Sequence, residues 1–130
     1  MTDVVLDAHG RTSWAQERPP RALVVELEAA QRDGGVVVVP TIAVVEATRG
    51  HPGRDARVNL RLKIAKTVHL TLPLARNAAR LRAHAMRTVS AADAVVAATA
   101  VERDAAVVIT SDPGDLAALC ADARVRVVAV

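Results

Sequence analysis

Four consecutive valines at 36–39 run straight into Pro40. A β-branched run with no polar alternation has no face to offer water, so it needs cover on both sides, as a strand inside a parallel sheet has. The proline then closes it. Shorter runs of the same character occur at 4–6, ending at Asp7, at 107–110, ending in Ser111 and Asp112, and at 125–130. Residues 68–72 alternate like a further strand.

Helical periodicity fills the intervals. Pro20 opens a helix with Leu23, Val24, Leu27 and Ala30 on one face, stopped by Gly34 and Gly35. Thr41 is placed to cap a helix over 42–49. Residues 55–66 form an amphipathic helix with a basic face, and 74–87 return to helical spacing. Ser90 with Asp93 is a capping-box-like start for an Ala-rich helix reaching about Arg103, and a short helix spans 113–120. This alternation predicts an α/β three-layer sandwich: a central, mostly parallel sheet flanked by helices, in one domain over 1–130. Right-handed crossovers put the strand C-termini on one edge, where open α/β sheets bind ligands.

Composition agrees. The 52% apolar fraction of the 130 residues is nearly all Ala, Val and Leu, with no Phe or Tyr and one Trp, so the core consists of small side chains in layers. No apolar stretch reaches the roughly 18 to 20 residues that span a bilayer. The opening MTDVVLD carries acid where a secretory signal carries basic charge, which leads us to expect a soluble, cytoplasmic protein with no membrane partner. The lone Cys120 lacks partners for a disulfide or a thiolate zinc site and reads as a buried helix residue. A net charge of +3 suits a polyanionic partner without requiring one.

Three carboxylates follow or start these elements, and a fourth lies within a helix. Asp7 follows the first strand and could simply begin a turn. Asp112 before Pro113 has the form of an N-cap with proline at N1, and Asp93 falls at N3, where the helix dipole favours it. Glu46 has apolar neighbours in Ile42, Ala43, Val45 and Ala47, so it is expected on a buried face in need of a cation, with Arg49 one turn on as a structural partner. Together they suggest more. Two carboxylates about 4 Å apart repel by about 4 kcal/mol at an effective dielectric of about 20. Four converging acids therefore call for a divalent cation. Oxygen donors without cysteine, and with no paired histidines among His9, His51, His69 and His84, suit Mg²⁺ or Mn²⁺.

The order of these residues, with Asp7 after the first strand, Glu46 in TIAVVEATRG, then SAADAVVAATAVERDAAVVITSD and DPGDL, resembles the PIN-domain family, in particular VapC-type toxins of toxin–antitoxin pairs. The resemblance runs over essentially the whole chain and is strongest over 72–130. It implies a PIN-like fold and a metal-dependent endoribonuclease that hydrolyses RNA phosphodiesters with metal-activated water, leaving a 5′ phosphate and a 3′ hydroxyl. Asp7, Glu46, Asp93 and Asp112 would be the catalytic, metal-binding acids, with Asp115 and Thr110 in support. A homodimer and a small antitoxin as partner are also implied.

Two places depart from the family pattern. His9 stands where Ser, Thr or Asn is usual, and the segment GRTSWAQERPP is polar where the first helix is usually apolar. His9 reads as a loop histidine and Trp14 as core or interface. Arg49, Arg54, Arg57, Arg61, Lys63 and Lys66 could carry an RNA backbone or form a solvated face. Other α/β enzymes fit less well: no G-x-G-x-x-G follows a strand, no Lys follows Lys66, and the first strand ends without Asp-x-Asp. The rival from another class is a PIN-like module that binds RNA or an antitoxin without cutting.

Overall fold

The computed structural model describes residues 1–48 and 50–130, and of Pro52 only the backbone. The expected Glu46–Arg49 pair, and Arg49 as a member of the basic set, lie outside the described residues. Five strands, β1 (Asp3–Leu6), β2 (Val37–Pro40), β3 (Lys66–Val68), β4 (Ala106–Thr110) and β5 (Val125–Ala129), form one sheet in the order β3-β2-β1-β4-β5. Every pairing is parallel. The central register aligns Val5 with Val38 on one side and with Val108 on the other.

Side chains alternate across each strand, so the valine runs feed two cores at once. Val5, Val38 and Val108 face α5 (Leu72–His84), α6 (Ala91–Val101) and α7 (Pro113–Leu119), meeting Leu74, Ala97 and Leu116. Val4, Leu6, Val39, Val107 and Ile109 face the other way, onto Trp14 of α1 (Ala8–Trp14), Leu23 of α2 (Arg21–Asp33) and Ala43 of α3 (Thr41–Ala47). The result is the expected three-layer α/β architecture, with the sheet entirely parallel. In α6 every residue from Asp93 to Ala100 is buried, and its alanines allow the close packing against sheet and α5 that such burial demands. A helix α4 (Pro52–Leu62) carries Arg54, Arg57 and Arg61.

Local structure differs from the sequence reading in three places. The basic helix ends at Leu62, and the strand is Lys66–Val68, not 68–72. Tertiary pairing decides this: Lys66 and Val68 lie beside Val38 and Pro40 of β2, and Thr71 becomes the N-cap of α5, its Oγ1 accepting from the Leu74 N–H at 3.3 Å. Thr41 is the first residue of α3 rather than its cap, which is Pro40, without a side-chain bond. Finally, the polar stretch after Asp7 is helix α1, with Arg11, Ser13 and Trp14 buried.

That last helix forms because Asp7 caps it, Oδ1 accepting from the Gly10 N–H at 2.8 Å. Gly10 then lies flat on β4: a Cβ there would stand 2.7 Å from the Ile109 carbonyl oxygen. Gly10→Ala is expected to destabilise the protein by about 1 to 3 kcal/mol, because the contacted atom is backbone and cannot swing away. A lower midpoint in urea unfolding at unchanged slope checks it.

Candidate active site

In the order β3-β2-β1-β4-β5 the chain reverses its direction of travel between β1 and β4, and the crevice outside their C-terminal ends is where parallel α/β sheets hold ligands. The two strand ends are joined directly, since the Asp7 N–H donates to the Ile109 carbonyl at 3.2 Å. Asp7 is 6% exposed. Beside it Thr110 ends β4, fully buried, and its Oγ1 accepts from the Asp112 N–H at 2.9 Å. Helices α1 and α7 leave this rim. Because α6 runs back against the strands before β4, its N-terminus, with Ser90 and Asp93, reaches the same rim.

Asp93 stands in the field of the other acids. Asp93 is 8% exposed, and its N–H donates to Ser90 Oγ at 3.0 Å, the cap expected from sequence. Its carboxyl is pushed up to about 6, first by burial and then by the negative charge of Asp112, with Asp7 and Asp115 adding to the effect and a hydrogen bond from Ser90 opposing it. Asp7, Asp112 and Asp115 thus share a field with Asp93. Asp112 occupies the N-cap position of α7, with its carbonyl accepting from the Leu116 N–H at 3.1 Å, but its side chain makes no capping bond and is exposed. The expected cap is therefore backbone only. Asp115 is held by Arg87, whose Nη2 lies 2.9 Å from Oδ1.

Glu46 differs from its expectation: it is exposed on α3, as is its neighbour Val45 at 73%. The face of α3 that packs inward carries Ala43, so the apolar neighbours of Glu46 do not bury it. Among the described residues no three His, Cys, Asp or Glu side chains are posed to hold a metal ion together. Asp7 Oδ1 is engaged by Gly10 and Asp115 by Arg87. The donor chemistry nonetheless fits a hard divalent cation: the donors are oxygens, and the charges of Asp112, Asp7 and Asp115 that add to burial in raising Asp93 are ones a cation would offset.

Arg11 was not among the candidate residues. Arg11 is fully buried, Nη1 donating to Thr48 Oγ1 at 3.2 Å, while among the described residues its Nε and Nη2 have no hydrogen-bond partner. Burial lowers its pKa and the charge of Asp55, itself buried, opposes that. The spacing Asp7, Arg11, Trp14 is one helical face, a signal hidden by the polarity of the segment. Trp14 is buried, with the Arg61 guanidinium 5.2 Å above its ring, as core rather than a free stacking platform. His9, Arg54, Arg57, Lys63 and Lys66 are exposed. Cys120 is buried, its thiol pushed up to about 11, which suits a core residue and not a nucleophile.

The arrangement defines a three-layer α/β domain with a carboxylate rim at its switch point. The PIN domain family model matches residues 4–121, and the chain belongs to the PIN-domain family. Its structure is similar to FitAB bound to an IR36 DNA fragment, with 21% identity, a TM-score of 0.71, and 97% of this chain and 94% of that one covered. It is similar also to FitAcB from Neisseria gonorrhoeae, with 22% identity, a TM-score of 0.68 and coverage of 95% and 96%. VapBC2 from Rickettsia felis bound to a promoter DNA fragment gives 10% identity and a TM-score of 0.74 over 99% of each chain. At these identities the likeness is one of fold. No curated protein matches the sequence.

The Asp93 shift has a sign that can be measured. Its folded pKa near 6 exceeds the ordinary 3.8, so the native state binds more protons between those values and stability falls as pH rises through them. Asp93→Asn removes this loss. In EDTA the variant is expected to be more stable than wild type at neutral pH by up to about 3 kcal/mol, with the difference vanishing near about pH 4. Urea unfolding at the two pH values checks it.

Proposed function

We propose that this protein is a metal-dependent endoribonuclease, the toxin of a toxin–antitoxin pair, hydrolysing RNA phosphodiesters. The observation that carries this reading is the acidic β1–β4 rim of a PIN-domain fold, where burial first and then the charges of Asp112, Asp7 and Asp115 raise Asp93. In this reading Asp7, Glu46, Asp93 and Asp112 hold Mg²⁺ or Mn²⁺, and Asp115 and Thr110 support them. A divalent ion, when bound, acidifies water from about 15.7 towards neutrality and offsets charge on a phosphodiester in displacement.

The chain's own groups prepare for that chemistry. The Gly10 N–H orients the Asp7 carboxylate, the Ser90 hydroxyl fixes the turn that presents Asp93, and Thr110 Oγ1 holds the backbone of Asp112. Arg54, Arg57, Lys63 and Lys66 would carry the RNA backbone through phosphate contacts, with specificity set by single-stranded segments or loops. Partners follow from the same reading: a small antitoxin and a second copy of the chain, in the cytoplasm. Support for a covering partner comes from the exposed Val45, Leu60, Ile64 and Leu72. Among the described residues no helix is long and apolar enough to cross a membrane.

The exposure of Glu46 favours a second reading, a module that binds RNA or antitoxin without cleavage. One assay separates the two. Purified protein is expected to cut a short single-stranded RNA with Mg²⁺ or Mn²⁺ and to stop in EDTA, with Asp93→Asn slower by on the order of 100-fold. Equal RNA binding by wild type and variant without cutting would establish the module instead.

A further inference from the structure

Arg87 lies in the connection between α5 and α6 that delivers Asp93 to the rim. The residue before it, Met86, has φ 55, a left-handed backbone on a residue that is not glycine. Met86 itself is 96% exposed, so its side chain gains no packing from that conformation; what the turn does is redirect the chain at Arg87. The loop is pinned just beyond. Val89 is buried, and its carbonyl accepts from Arg82 Nε at 3.0 Å.

From there the Arg87 guanidinium reaches the first turn of α7. Nη2 meets Asp115 at 2.9 Å, and the guanidinium lies beside Gly114, where even an added Cβ would stand at ordinary contact distance from Nη1, 3.4 Å. Asp115 belongs to the rim that acts on Asp93, so the guanidinium stands beside the carboxylates. As a stabilising device it is poorly placed: with the Arg87 side chain 52% exposed, an ion pair of this kind contributes little. As a ligand group it is well placed. Asp115 uses one donor nitrogen, and the half-exposed remainder of a planar fork is shaped for two oxygens of a phosphate. A carboxylate rim repels an RNA backbone, and a cation held fixed at its margin counters that repulsion.

We propose that Arg87 is the chain's own phosphate-contacting residue, anchored by Asp115 and donating its free N–H groups to the RNA backbone beside the acidic rim. This rests on the reading of the rim as an RNA-cleaving site. The test measures binding of a short fluorescein-labelled single-stranded RNA to Asp93→Asn protein, with and without Arg87→Ala, across a salt series, alongside cleavage by wild type. Arg87→Ala is expected to weaken binding about fivefold and to reduce the slope of log affinity against log salt by about 0.7, the signature of one lost phosphate contact on a single strand. Arg87→Lys, which keeps the charge, is expected to retain the slope. Thermal midpoints of the Arg87 variants are expected to match their parent, as befits a half-exposed side chain. An unchanged slope and affinity in Arg87→Ala overturns the proposal whether or not wild type cuts RNA. A reduced slope with no cutting by wild type upholds the phosphate contact and rejects the nuclease reading.

Discussion

The parallel pairing of β1 with β4 is the constraint on which the rest depends. It aligns Leu6 with Ile109, and the Asp7 N–H continues the ladder one step further, onto the Ile109 carbonyl. Gly10 packs on that same carbonyl, which lets α1 start directly from the strand with Asp7 as its cap. Shift this register by one residue and every valine on β1 changes face, the two cores lose their side chains, and Asp7 no longer stands beside the end of β4. The position of the acids is therefore a consequence of core packing. The site inherits its precision from valines that never touch it.

The rim concentrates negative charge in a place from which water is partly excluded, and the fold answers with local devices. Ser90 stabilises the turn at Asp93, the Gly10 N–H satisfies one oxygen of Asp7, and Arg87 neutralises Asp115. Asp93 is raised all the same, first by burial and then by the charge of Asp112, Asp7 and Asp115. A structure selected for stability alone would have replaced that carboxyl by an amide or an apolar group; a perturbed acid among other acids at a switch point is the pattern of a site that handles charge. On the other side of α1, Arg11 is buried with Asp55 acting on its charge, so cation and anion are sequestered there too.

The elements themselves were largely legible in the chain. The valine runs, the Ser90 cap and Pro113 each announce a strand or a helix end through short-range chemistry, and the structure places elements there. The misreadings occurred where tertiary partners outvote local pattern. Lys66 reads as the tail of an amphipathic helix until β2 offers it a ladder. The segment after Asp7 reads as polar, with His9 in a loop, until Asp7 caps it as helix α1 and β4 and α3 cover its inner face. Glu46 reads as buried because its neighbours are apolar, yet which side of α3 turns inward is set by the sheet beneath it.

What the sequence determined by itself was the kind of layered α/β fold and the set of acids at element ends, because both follow from residues adjacent in the chain: β-branched runs that need two-sided cover, and carboxylates placed where strands stop and helices start. What only the tertiary structure decided was which of those acids share a field and which cations attend them. Asp93 feels Asp112, Asp7 and Asp115, and Arg87 reaches Asp115, through distances that close in space between segments far apart in sequence. Electrostatic coupling depends on separation and burial, and neither quantity exists until the sheet has been assembled.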